Sequence, residues 1–456
     1  MKALLVNPWI EDFAAYDFWL KPLGLLYVGA YLKQLGFEVF LIDLMNRHDE
    51  EIKRYIDVPK DKFFKTGKFP SIKIKKPDVL SFVPRNFKRY GASEEFFEKK
   101  LKEIGNVDAV FVTSTLTYWY PGYWDTIRFL RKFYGEKVPI IFGGFYVRNL
   151  PSHAKQTNTF IFSGSELNKL PKFLGSIFEK NFETKDINWF EILDPAYDLY
   201  NNLGYLVFIT TLGCPFKCSY CIAHRIWNGM RFRTPRKVVD SIEKYVEKFK
   251  VKDVIFFDDA ILVNSKKHFH VILKEIIMRG LKLNFHLPNG IHARLITEET
   301  AELMKEANFK TIKLGYETSG ELQIKTGGKV QDKDLVRASR ILRKYGFTEN
   351  EVSAYIMLNI PGQKPRDVIE AMKVCKNEGI GFSLNEFTPI IGTDDWIELV
   401  NNGKLTGRED PVILNNTVLP FWWKYGMNSN LIQELKHIAR KIKEGEFIDT
   451  VNEDFS

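Results

Sequence analysis

Apolar and polar positions along the chain follow two periods, and each switch between them marks an element. KALLVNP (2–8) is a short apolar run closed by Asn-Pro, which predicts a buried strand; PLGLLYVGAYLKQLG (22–36) then takes helical spacing, with Gly36 as its stop. FEVFLIDL (37–44) and DAVFVTST (108–115) predict two more strands, a helix is expected through about 124–134, and VPIIFGG (138–144) predicts a further strand. Strands alternating with helices pair in parallel, so residues 1–180 are expected to form a doubly wound parallel sheet of the α/β class. The Lys-rich stretch 48–105, with KIKKP (73–77) and FKRYG (87–91), breaks the periodicity and reads as an irregular insertion. FSGSE (162–166) precedes a short helix, and 181–204 reads as a linker.

From YLVFITTLG (205–213) the alternation resumes. DVIFFDDA (253–260), LNFHLPNG (283–290), TIKLGYET (311–318), EVSAYIMLNIPG (351–362) and FSLNEFTPIIGT (382–393) are strand-like, with helical runs between them. Six such units predict a partial (β/α)6 barrel over 205–394, followed by a C-terminal extension, 395–456, with VLPFWWKYG (418–426) and an amphipathic helix at 430–445. Barrels of this kind carry chemistry at the carboxyl ends of their strands. Asp258, Asp259, Asn289 and Glu317 close strands and are therefore candidates, as are His292 and Arg294 close behind Asn289.

Composition narrows the picture. A chain of 456 residues, 45% hydrophobic and 14% aromatic, has material for two or three domains with sizeable cores. The net charge of +9 might suggest nucleic acid, but Lys and Glu are both abundant and intersperse on helices, which reads as solvated faces and makes nucleic acid an unexpected partner. MKALLVNPWIEDF has no signal-type apolar region with a cleavage site, and no apolar run reaches the ~18 residues of a membrane span. A cytoplasmic location is expected.

Four cysteines in so long a chain do not make a disulfide scaffold. Three of them, Cys214, Cys218 and Cys221, stand as C-x3-C-x2-C in GCPFKCSYC (213–221), a spacing that fits three thiolates to three irons of a cubane and leaves the fourth iron open. The competing reading is structural zinc with His224 as a fourth ligand. Cys375, in AMKVCKNEG (371–379), reads as a buried small hydrophobe.

The cysteine spacing, with aromatic Tyr220 before the third Cys, resembles the radical S-adenosylmethionine superfamily. The resemblance implies a 4Fe-4S cluster that passes an electron to S-adenosylmethionine, yielding a 5′-deoxyadenosyl radical, and an electron donor such as ferredoxin or flavodoxin. It places Asp258 and Asp259 where the family has a Gly-Gly-Glu-like turn for the methionine amino group, against the plainer role of a helix cap. It gives Glu317 in LGYET to the ribose or methionine moiety, Tyr220 to adenine, and IPGQ (360–363) to a turn near adenine, with Asn359 in place of the commoner Gly. His224, Arg225 and Trp227 would cover the cluster or line substrate access.

Residues 1–180 resemble the cobalamin-binding domain that precedes the radical core in one branch of that superfamily, on the strand ending in Asn-Pro, the helix 22–36, Asp43, Gly143-Gly144 and Gly-Ser-Glu at 164–166. Strand-end residues Asn7, Asp43, Thr113 to Thr117 and Gly143 to Phe145 would then lie near a corrinoid. The family's Asp-x-His-x-x-Gly is absent. DLMNRHD (43–49) has Met45 at the His position, and His48 reads as a solvent-facing loop residue. A purely structural sheet is the alternative. The resemblance implies methyl transfer to an unactivated carbon of a small-molecule, lipid or peptide substrate; radical rearrangement, oxidation or cyclisation is the second reading, and an iron–sulfur scaffold or sensor the non-enzymatic one.

Overall fold

The sheet of the N-terminal half has five parallel strands: β1 (Lys2–Asn7), β2 (Glu38–Asp43), β3 (Ala109–Val112), β4 (Ile140–Gly143) and β5 (Phe160–Phe162), in the spatial order β5-β4-β3-β1-β2. The computed structural model describes residues 1–183, 187–227, 229–327, 330–422 and 426–446. These divide into two units, one of Met1–Val207 with Tyr245–Val251, the other of Phe208–Lys244 and the residues from Lys252 onward. In the first unit the strand order reverses between β1 and β3, the place where doubly wound sheets take ligands. Both faces of the sheet are covered, so β1 is buried from Ala3 to Asn7 and reads as a continuous apolar run instead of an alternation. Gly144 allows the turn after β4: its φ is +99°, and a Cβ there would lie 2.2 Å from the Ser114 carbonyl oxygen.

The expected irregular insertion is partly regular. Ser71–Lys73 and Lys88–Tyr90 join Ile10–Asp12 in a small antiparallel sheet with Lys88–Tyr90 in the middle. The helix Glu94–Ile104 is capped by the Ser93 hydroxyl, which accepts from the Phe96 N–H at 3.2 Å, and carries Glu94 and Glu95 in its first turn. It buries Phe96, Phe97 and Leu101 against the sheet and completes the crossover from β2 to β3. Charged residues on its outer face hid a narrow apolar stripe in the sequence.

A second, six-stranded sheet runs in sequential order: β6 (Leu206–Phe208), at the boundary of the two units, then β7 (Asp253–Phe256), β8 (Asn284–His292), β9 (Phe309–Glu317), β10 (Val352–Leu358) and β11 (Gly381–Glu386) in the second unit. The pairs from β7 to β11 are parallel, giving the expected partial barrel. In β10, Val352, Ala354, Ile356 and Leu358 are buried on one face and Ser353, Tyr355 and Met357 are half-buried on the other. Phe256, Phe285 and Phe309, one from each of three neighbouring strands, stack with centroids 5.8 and 5.5 Å apart and help hold the strands in register. The helix Ser429–Glu444 of the C-terminal extension packs on the helix Pro365–Asn377.

Candidate functional site

The cysteine loop hangs between two short strands, Thr211–Leu212 and Arg231–Phe232, that pair antiparallel. Gly213 starts it at φ +89°, where a Cβ would meet the Gly229 carbonyl oxygen at 2.3 Å, so no other residue fits without moving the loop. Cys218 is buried, and Cys214 and Cys221 are half-buried. The Cys221 N–H donates to the Cys218 carbonyl at 3.0 Å, and its sulfur accepts from the Ala223 N–H at 3.4 Å. Burial first, then the neighbouring Cys218, Asp259 and Cys214, pushes the Cys221 thiol up to about 11. Cys218 and Cys214 thus act on the Cys221 thiol, and binding iron would draw the thiols together and displace their protons. Cys375 lies fully buried in the helix Pro365–Asn377.

Three segments hold this loop. The Asp258 carboxylate, just past β7, accepts four hydrogen bonds on its Oδ1: from the Thr210 and Thr211 N–H groups at 2.8 and 2.5 Å and from their hydroxyls at 2.9 and 2.8 Å. Among the described residues its Oδ2 is buried without a hydrogen-bond partner, and burial raises the group to about 6. Farther along, the Ser219 N–H reaches the Thr326 carbonyl at 3.4 Å, and a Cβ on Gly327 would stand 3.0 Å from the Lys217 carbonyl oxygen. After β11, the Asp395 N–H donates to the Ser219 carbonyl at 3.0 Å, and the Arg225 guanidinium pairs with the Asp394 carboxylate at 2.5 Å.

The strand-end residues share this rim. Asp259 is exposed beside the cysteines, and its charge acts on Cys221. Asn289 sits inside β8, where the pairing with β9 is irregular, and not beyond its end as the sequence predicts; its amide donates to the Phe257 and Asp258 carbonyls at 2.9 and 3.2 Å. Glu317 closes β9 in the left-handed region, φ +72°, an uncommon conformation for a residue with a side chain. After burial, Glu317 is the largest cause of the rise in the Tyr220 hydroxyl, and it raises Tyr355 as well. Tyr220 packs against the buried cluster formed by Phe387, Leu399, Leu405, Leu414 and Leu419.

IPGQ holds a residue whose role the sequence did not reveal. The Gln363 carbonyl oxygen accepts from the Asn359 N–H at 2.7 Å, while its amide donates to the Met357 carbonyl at 2.8 Å and the Thr318 hydroxyl at 3.2 Å, tying the end of β9 to that of β10. Asn359 has φ +71°, the conformation a Gly would adopt there, and Asn is among the side chains that tolerate it. Its amide exchanges two hydrogen bonds with the Met427 backbone, at 2.7 and 3.2 Å.

In the first unit, the strand ends at the reversal of order surround a cavity of about 20 Å³ lined by Asn7, Lys21, Met45 and Thr113 to Thr115. That is room for about one water. Asp43 accepts from the Asn7 amide at 2.6 Å, the Met45 N–H at 3.0 Å and the Tyr200 hydroxyl at 2.6 Å. Lys21 is buried over the Tyr200 and Tyr205 rings, bonds Asn46 at 3.0 Å, and is lowered by burial. His48 is not a solvent-facing loop residue: it is 9% exposed, packed under Gly204 and edge-on to Tyr205, and burial takes it down to about 3. With Met45 also buried, neither side chain presents itself as an axial ligand.

The family described as the Radical SAM superfamily matches residues 208–375. Over 366 residues the chain is 22% identical to the uncharacterized methyltransferase PH0819 of Pyrococcus horikoshii, covering 73% of this chain and 75% of that protein. It is 30% identical over 169 residues to the anaerobic magnesium-protoporphyrin IX monomethyl ester cyclase of Cereibacter sphaeroides, 35% of this chain and 27% of that one. The radical S-adenosylmethionine methyltransferase TsrM of Kitasatospora setae, solved with cobalamin and a 4Fe-4S cluster bound, shares the fold with a TM-score of 0.63 over 96% of this chain and 90% of its own, at 15% identity.

Proposed function

The chain belongs to the radical S-adenosylmethionine superfamily, and from that premise we propose that it methylates an unactivated carbon with a corrinoid as its second cofactor. The observation that carries the reading is a single loop with three thiols, held from three sides, while the fourth cysteine is buried in the helix Pro365–Asn377. When bound, a 4Fe-4S cluster supplies the electron that cleaves S-adenosylmethionine and a corrinoid supplies the methyl group. Cys214, Cys218 and Cys221 would hold three irons, leaving one open. Asp259 and Glu317 put negative charge on the rim, suited to an amino group and to ribose hydroxyls. Asn289 and Tyr220 shape that rim, and Asp258 fixes the loop.

A corrinoid would lie over the strand ends Asn7 and Thr113 to Thr115, since the cavity beneath admits no nucleotide tail. Enzymes of this superfamily need an electron donor; a ferredoxin or flavodoxin in the cytoplasm fits. Among the described residues no helix is long and apolar enough to cross a membrane. The substrate belongs to the small-molecule, lipid or peptide classes.

Anaerobic reconstitution should give about four irons per chain and 5′-deoxyadenosine on reduction. Replacing Cys214, Cys218 or Cys221 by Ala should abolish both, whereas Cys375→Ala should spare both. A scaffold or sensor would form no 5′-deoxyadenosine. The identity with the cyclase over 169 residues supports the second reading, radical cyclisation or another rearrangement. Formation of 5′-deoxyadenosine without movement of label from methyl-labelled S-adenosylmethionine into product would favour it.

A further inference from the structure

The excess positive charge of this chain falls within one stretch of its sequence. Between Lys60 and Arg89, ten Lys and Arg stand against two Asp, a net +8 in a chain whose total is +9. Lys60, Lys62, Lys65, Lys68, Lys73, Lys75 and Arg85 are exposed there. Lys60, Lys68 and Lys73 have no ion-pair partner among the described residues, while Arg89, which pairs with Glu11, Glu94 and Asp125, serves the fold. The same stretch exposes apolar side chains. Of the twelve large hydrophobics exposed among the described residues, Phe63, Ile72, Val79 and Phe82 fall within twenty positions, at 62, 47, 40 and 42% exposure. Phe18, 55% exposed, is stacked on Tyr16, whose ring lies under the Lys62 ammonium and whose strand pairs with that of Lys68.

We propose that the insertion from Lys60 to Arg89 docks the protein peripherally on an anionic phospholipid surface. Lysines at that surface are drawn to the headgroup charge, and short apolar side chains between them enter the headgroup boundary, a combination that holds a protein reversibly without a membrane span. Folded proteins rarely leave large apolar side chains so concentrated in water unless something covers them. RNA fits less well: Lys outnumbers Arg, the fork that reads phosphates and bases, and Ile72 and Val79 offer no ring on which a base stacks. The inference rests on the surface of the first unit and is independent of the proposed chemistry.

The test is flotation of the full chain with vesicles of phosphatidylcholine, with and without phosphatidylglycerol. Binding should require phosphatidylglycerol and fade with salt. Lys68→Glu, Lys73→Glu and Lys75→Glu should each weaken it by about fivefold or more. Phe63→Ser with Phe82→Ser should release the protein while iron content and circular dichroism stay unchanged. In the unaltered protein, vesicles should shield Lys62, Lys68 and Lys73 from acetylation and leave Lys441 reactive, a readout that does not depend on any variant folding. Failure to float with phosphatidylglycerol, equal binding to phosphatidylcholine alone, or RNA retention in place of flotation would overturn the proposal.

Discussion

Asp258 gathers four hydrogen bonds on one oxygen and, among the described residues, leaves the other buried without one, so its first task is to hold Thr210 and Thr211, just ahead of the cysteine loop. Removing a buried acceptor leaves its donors unpaired at about 1–3 kcal/mol each. Asp258→Ala should therefore lower iron retention and thermal stability together, while Asp259→Ala, on the exposed neighbour, should keep iron and weaken S-adenosylmethionine binding in equilibrium dialysis. Equal iron retention in the two variants would count against this division of roles. Nothing in the FITTLG run of the sequence signals this lock, because the two threonines find their partner 47 and 48 positions away. His48 makes a second residue-level prediction. Its folded value, about 3, lies below the ordinary 6.5, so the unfolded chain takes up a proton that the folded one refuses. Its stabilising contribution is complete above pH 6.5 and falls as pH drops from there to about 3, with a slope approaching 1.4 kcal/mol per pH unit. His48→Gln should flatten that part of the acid-unfolding profile of the full chain, read by urea titration at each pH.

The elements were legible in the sequence where a period was long and undisturbed. The strands ending at Asn7, Asp43, Glu317 and Leu358 all appear as expected, because their buried faces impose the pattern directly. The helix Glu94–Ile104 was not legible, since its three buried positions are outnumbered by Lys and Glu. Asn289 was misplaced because β8 continues through Pro288 and Gly290 to His292, across an irregularity that turn-forming residues made look like an end. At the end of β10, Asn359 combines a left-handed backbone with a clamp on Met427, two jobs that separate on substitution. Asn359→Gly should keep the turn and lose only the clamp, so that amides of the helix Ser429–Glu444 exchange faster while the melting temperature falls little. Asn359→Val should lose both, with a backbone cost of about 1–3 kcal/mol added. Matching melting temperatures for the two variants would mean that the left-handed turn is not strained.

At the scale of the whole molecule, the second unit's chemistry was readable from nine residues, whereas the first unit's depends on what its strand ends admit. With a cavity of about 20 Å³ and both Met45 and His48 buried, this segment would offer no nitrogen to a corrinoid bound there. Full-length protein should retain hydroxocobalamin through desalting and show a base-off spectrum, and Met45→His alone should not convert it, because that position is closed. A base-on spectrum in the unaltered protein would refute this. The position of Asp258 in the chain bears also on biosynthesis. A chain is made from its N-terminus, so all three cysteines leave the ribosome before the carboxylate that fixes their loop, which follows Cys221 by 37 residues, and well before Gly327, which packs against the loop. The three thiols are thus displayed on an unanchored segment for an interval of synthesis, open to oxidation. Iron offered to a chain that ends before Asp258 should therefore be held less firmly than iron offered to the completed chain.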